Sequence, residues 1–177
     1  KIDYFYMPKL QEFQKRTLSL LGIKNYKIIN SKRIKHLEAT KIIIPDHPWY
    51  YKGTIFKVAN SIPGWIVKWL RKSFIKYNKK KNKPLKIFID RSESEYSHCK
   101  LTNNEEIKKL LSKKGFSILK TGTLDFLKQV ELFNSAKFVI GPHGAAFTNL
   151  VFCKPNTNVI EIKPKKQPNN YKKISLL

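Results

Sequence analysis

Four short apolar runs in the second half of the chain, 86–90, 116–119, 137–140 and 158–162, alternate with stretches of helical periodicity. That alternation leaves few folds open. Continuous apolar runs of this length read as strands covered on both faces, the situation of a parallel sheet. Between the first two runs Ile107, Leu110 and Leu111 form a helical stripe, with Thr102 and Glu105 at capping-box spacing ahead of it and Gly115 as its stop. Between the next two, Thr123 is the expected cap of a helix that carries Leu124, Leu127, Glu131 and Phe133 and ends near Ser135. A third helix is expected over 145–152. The order β-α-β-α-β-α-β predicts an α/β fold, a Rossmann-like doubly wound parallel sheet with right-handed crossovers.

The first half is less regular. A helix over 10–21 closed by Gly22, strands over 26–29 and 41–44, and a helix over 65–77 are expected. The lysine-rich stretch 79–84 reads as a linker, which divides the chain into a partial N-terminal domain, 1–83, and a Rossmann-like domain, 84–177. The first residue is Lys and the last run, 171–177, reads as a helix in progress, so a fragment of a longer protein is expected.

The turn after 137–140 is the place to look for function. It reads Gly141, Pro142, His143, Gly144, Ala145, and continues to Thr148 and Asn149. Glycine lets another group approach the backbone closely. A helix opening behind a strand aims N–H groups into such a turn, which suits an anion. Open α/β sheets bind ligands at the carboxyl ends of their strands. A plain tight turn between strand and helix is the simpler alternative.

Charge is the compositional outlier. With 36 Lys and Arg against 12 Asp and Glu the formal net charge is +24, and only Arg16, Arg33, Arg71 and Arg91 are arginines. A chain rich in Lys, Asn and Ile fits an AT-rich coding sequence whose lysines solvate the surface; attraction to a polyanion or an anionic membrane is the other reading. Nucleic-acid readers favour arginine for bidentate contacts, and the sequence has neither a zinc-finger spacing nor an aromatic RNA-binding signature, so no nucleic-acid partner is expected. Cys99 and Cys153 lie in no ligand spacing, which makes a structural zinc site improbable and a reducing compartment the default. No apolar run approaches the ~20 residues of a membrane span.

The order and spacing of several segments resembles glycosyltransferase family 61. They are 86–92 ending in Arg91 and Ser92; 103–106 followed by Gly115 and Phe116; 129–136 leading into 139–149; and Phe152, Cys153, Lys154, Pro155 before 159–162. The resemblance is specific over about 85–171; Phe147 stands where Leu is common and Asn156 where Gly is common. It implies a GT-B architecture of two facing Rossmann-like domains, this chain holding the C-terminal one and part of the other. It implies inversion at the sugar carbon, and a nucleotide sugar, expected to be a UDP-sugar, on the C-terminal domain. The implied acceptor is an oligosaccharide, lipid-linked or glycoprotein glycan, in surface or capsular polysaccharide assembly. The implied location is cytoplasmic, in peripheral contact with the inner face of the membrane, or the ER or Golgi lumen in a eukaryote.

An inverting transfer needs a base for the acceptor hydroxyl and stabilisation of the departing diphosphate. Gly141, Gly144 and Ala145 supply backbone for the second task, with Thr148 and Asn149 as side-chain donors or caps. His143 is expected to touch the diphosphate or orient the acceptor, in preference to serving as base. Arg91, at the end of the first strand, is placed to reach the diphosphate, with Ser92 as companion; a surface ion pair with Glu93 or Glu95 is its alternative. Glu161 either accepts from ribose hydroxyls or pairs with Lys163 or Lys165. Gln129 and Glu131 are read as packing or capping residues. Asp46 and His47, followed by Trp49, Tyr50 and Tyr51, are the candidates for the base, against a plain connecting loop. No Asp-x-Asp motif is present, so no metal and no obligatory cofactor are expected. A basic nucleic-acid-binding module and a non-catalytic relative of the transferase fold are the alternatives.

Overall fold

The structure is a computed structural model that describes residues 1–45, 63–78, 83–93, 99–165, 171, 172 and 174. The chain divides into two compact units, Lys1–Pro48 and Trp49–Leu177. In the first, β1 (Phe5–Met7) and β2 (Ile28–Asn30) pair in parallel around helix α1 (Glu12–Leu20). Gly22, at φ +84°, ends α1 as expected. The expected strand at 41–44 is absent. Ile42, Ile43 and Ile44 are 65%, 63% and 85% exposed, so these β-branched residues have no sheet to pack on. Asp46 and His47 lie outside the described residues.

The second unit holds the predicted doubly wound sheet. Its four parallel strands are β3 (Lys86–Ile89), β4 (Ser117–Leu119), β5 (Phe138–Pro142) and β6 (Asn158–Ile162), in the order β4-β3-β5-β6. Ile87, Phe88 and Ile89 are fully buried on both faces of the central strand. Burial of side chains this large contributes ~1.5–3 kcal/mol each. The helices are α2 (Gly64–Phe74), α3 (Asn104–Lys113) and α4 (Phe126–Ser135). Phe74 of α2 meets Phe126 and Phe152 edge-to-face at 4.9 and 6.3 Å. The helix expected in the first domain therefore packs within the second unit.

Three local expectations change. Asn103 precedes α3 without a side-chain cap bond, and Glu105 pairs with Lys108 at 2.6 Å in place of a capping box with Thr102. Asp125 caps α4 through Leu127 N–H at 2.8 Å, while Thr123 turns back onto the Lys120 carbonyl. A carboxylate two residues before the first free N–H is the stronger acceptor. The stretch Ala145–Phe152 is a 3₁₀ helix. Gly115 closes α3 at φ +78°, and Phe116 N–H returns to the Leu111 carbonyl, the predicted stop. Asn156 adopts φ +64°, the left-handed region that glycine favours and asparagine tolerates, which explains why Asn can replace Gly there.

Candidate functional site

Strand order decides where the site lies. The chain passes from β3 outward to β4, then back across to β5 on the other side of β3, so the crossovers diverge above the carboxyl ends of β3 and β5. A ligand crevice forms at such a switch point. The residues leaving β3 there are Asp90, Arg91 and Ser92; those leaving β5 are His143 and Gly144.

Asp90 is 4% exposed and organises the β3 end. Its carboxylate accepts from Ser92 N–H and Ser92 Oγ at 3.0 Å, from Asn104 Nδ2 at 3.2 Å, and lies 3.4 Å from Lys108 Nζ. Burial works against its charge, but the Ser92 and Asn104 hydrogen bonds and the Lys108 charge outweigh it, and the carboxyl is held below the ordinary aspartate range. Ser92 is thus spent on the turn, and Arg91 is projected past it.

Arg91 reaches across to the β5 end and donates from Nη1 to the His143 carbonyl. The guanidinium fills the space above Gly144: a Cβ there would sit 2.7 Å from Arg91 Nε. Gly144 is in extended backbone at φ 164°, so its requirement is room for the arginine and not a special φ. Gly141 is tight for a different reason, since a Cβ would lie 2.8 Å from Ile89 Cβ inside the sheet. Of the acids considered as partners for Arg91, Glu93 pairs with Lys120 at 2.6 Å.

His143 is 7% exposed. Its N–H extends the β5–β6 ladder to the Ile162 carbonyl at 2.8 Å, and its Nδ1 lies 2.5 Å from Glu161 Oε1. Gly141 stands opposite Glu161 in the register, which brings the carboxylate to the imidazole. A carboxylate on Nδ1 fixes the ring's orientation and leaves Nε2 for another partner. The Tyr171 ring covers the imidazole at a centroid distance of 5.2 Å and meets Phe147 at 5.7 Å. Burial, reinforced by the Glu161 charge and opposed by Arg91, pushes the Tyr171 hydroxyl up. Glu161 therefore pairs with His143, a contact the sequence reading did not contain.

The 3₁₀ helix carries the remaining candidates. Ala145 is exposed at its start, where the first N–H groups of a helix lack intrahelical acceptors. Thr148 Oγ1 donates back to the Ala145 carbonyl at 2.7 Å. Asn149 is buried and donates from Nδ2 to Gln129 Oε1 at 2.8 Å and to the Ala146 carbonyl at 3.2 Å. Both side chains brace the helix. Gln129 and Glu131 have the packing roles expected of them: Gln129 holds Asn149, and Glu131 binds Lys83. A cavity of about 310 Å³ lies elsewhere, under the loop that enters β6, lined by Val67, Arg71, Cys153, Lys154 and Val159 among others. It contains none of the switch-point residues, and strand-end geometry is the better guide to the site.

A family model described as glycosyltransferase 61 matches residues 4–160. The chain belongs to glycosyltransferase family 61. The match covers most of the chain and reaches well into the first half, where the sequence resemblance was faint. No curated protein matches it. Family 61 membership makes the protein a glycosyltransferase, with a sugar donor and a glycan acceptor as its partners in general. For this family 61 protein the strand-end cluster of Arg91, His143, Gly144 and Glu161 is the candidate donor site. Asp90 and Tyr171 were missed by sequence reasoning. An acidic residue closing a buried strand just before Arg91 was the available signal for Asp90; none pointed to Tyr171.

Proposed function

We propose that this family 61 protein is an inverting hexosyl- or pentosyltransferase that uses a nucleotide-sugar donor, a UDP-sugar by preference, and builds a surface or capsular glycan. The single observation behind the reading is the Arg91 guanidinium seated over Gly144 at the paired ends of β3 and β5. A fixed guanidinium beside the opening N–H groups of a helix is suited to the charge that develops on a departing diphosphate. His143, held by Glu161 through Nδ1, keeps Nε2 as a donor to phosphate. With the diphosphate neutralised by Arg91, His143 and backbone N–H groups, the reaction runs without an obligatory metal or cofactor. Asp46 and His47 are the candidates for the base. The acceptor is an oligosaccharide, a lipid-linked glycan or a glycoprotein.

Calorimetric titration with UDP and with a panel of UDP-sugars tests the donor assignment. Arg91→Ala should weaken binding ~10–150-fold, the range that a charged hydrogen bond of ~1.5–3 kcal/mol implies. Arg91→Lys should recover only part of it, because a point charge lacks the fork geometry. Unchanged affinity in Arg91→Ala with an intact fold would remove the site from Arg91.

A further inference from the structure

The outward face of α2 carries a pattern that the transfer reaction does not use. From 63 to 78 the exposed residues are Trp65, Lys68, Trp69, Lys72 and Lys76, and no acidic residue occurs in the stretch. Trp65, Lys68, Trp69 and Lys72, at i, i+3, i+4 and i+7 on α2, fall within an arc of about 100° at 3.6 residues per turn, and Lys76 follows on the 3₁₀ turn Ile75–Tyr77. The opposite side is spent on the core: Val67 and Phe74 are buried, and Arg71 donates to the Val151 carbonyl at 2.9 Å and to that of Cys153. Trp65 is 62% exposed and Trp69 47%. Two large apolar rings one turn apart in water are a cost unless something covers them.

From this face we infer that α2 is a docking surface for an anionic lipid bilayer. Indole rings settle at the boundary between headgroups and acyl chains, with the apolar body inside and the N–H outside. Lysine reaches sideways from such a surface to phosphate and carboxylate headgroups while its stem lies on apolar ground. Three lysines around two tryptophans, in a chain of net charge +24, supply both the attraction and the insertion. The geometry favours a lipid surface over a nucleic acid. Single strands are held in grooves lined by stacking rings, and a lone helix presents a convex ridge. The ridge fits a planar array of headgroups, and the inward packing of Phe74 on Phe126 holds it rigid. The inference is independent of the donor-site reading and brings the transferase to a membrane surface, where lipid-linked acceptors lie.

Flotation of the purified chain with vesicles tests it. Phosphatidylserine–phosphatidylcholine vesicles at low salt should carry the protein to the lipid layer, and pure phosphatidylcholine vesicles should not. Lys68→Glu with Lys72→Glu and Lys76→Glu should lower partitioning at least a hundredfold, at roughly fivefold per lysine removed near the surface. Trp65→Ser with Trp69→Ser should lower it about tenfold and abolish quenching of tryptophan fluorescence by brominated acyl chains. Lys109→Glu with Lys113→Glu and Lys114→Glu, the same charge change on exposed positions of α3 and the residue after it, should retain most of the binding. Equal losses in both lysine sets would overturn the surface assignment in favour of diffuse charge. Competition by single-stranded RNA that the Trp65 and Trp69 substitutions weaken, with no vesicle binding, would replace lipid by nucleic acid. Unchanged UDP affinity and unfolding midpoint in the α2 variants separates a lost surface from a lost fold.

Discussion

Alanine at position 144 tests the strand-end cluster most directly, because the structure assigns the cost of a Cβ there to one side chain. The three atoms nearest the added methyl would all belong to the Arg91 guanidinium. Arg91 must then leave the His143 carbonyl, and a half-buried charged hydrogen bond of this kind is worth about 1.5 kcal/mol at the low end of its range. Against that, alanine at an extended φ loses less chain entropy on folding than glycine, a gain of ~0.4–1 kcal/mol. Gly144→Ala should therefore destabilise the protein by ~0.5–1 kcal/mol. In an Arg91→Ala background the clash is gone, and the same substitution should stabilise by ~0.4–1 kcal/mol. The two backgrounds differ by about 1.5 kcal/mol, well outside the ~0.5 kcal/mol within which independent sites add. Urea unfolding of the four proteins measures this coupling, and calorimetry with UDP on the same set reads its effect on the donor. Additivity within ~0.5 kcal/mol would refute the account of Gly144 as the floor beneath Arg91.

Asp90→Asn should remove part of the acid limb of unfolding. The folded-state pKa of Asp90 is depressed, so its contribution is present above the unfolded value of about 3.9 and is lost as pH falls through the folded one. The variant should be ~1–3 kcal/mol less stable at neutral pH and flatter below pH 4, as urea midpoints across pH would report; parallel curves would contradict the assignment. Burial pushes the Cys153 thiol up to about 12 against the opposing pull of Arg71. In the folded protein at pH 8 a maleimide should leave Cys153 unmodified, and it should react only on unfolding, as mass spectrometry of the labelled peptides would show. Labelling of Cys153 as fast in native as in unfolded protein would overturn it.

Much of the second half was legible because its central strand β3 is buried on both faces. Residues such as Ile87, Phe88 and Ile89 have to be apolar whichever way they point, so the runs stand out from the helices between them. Gly141, His143 and Arg91 stood out because they interrupt the apolar pattern at the strand ends; Gly141 is held small by Ile89 Cβ, and Gly144 by the Arg91 guanidinium. What escaped depends on neighbours that sequence order does not reveal. Glu161 meets His143 through the register of two adjacent strands, and Tyr171 opens a run that read only as the start of a helix. Thr148 and Asn149 look like ligand donors when read singly, yet Ala145 and Gln129 already occupy them. The isoleucines at 42–44 carry strand propensity without a partner strand, and propensity alone does not make a sheet.

The winding of the helix after the turn matches a distance. To pair with β5 in parallel, the chain must return from Pro142 to the level of Phe138 before Asn158 can begin β6. Five residues of strand span ~16–17 Å. Eight residues wound as a 3₁₀ helix rise ~16 Å, close to that span, against ~12 Å for the same eight in an α-helix. The tighter winding also repeats every three residues, so Ala145 and Thr148 stack on the open side while Phe147 and Leu150 stack in the core. An insertion or deletion of a single residue between 145 and 152 would turn one column into the other and shift β6 against β5, uncoupling Glu161 from His143 without touching either side chain.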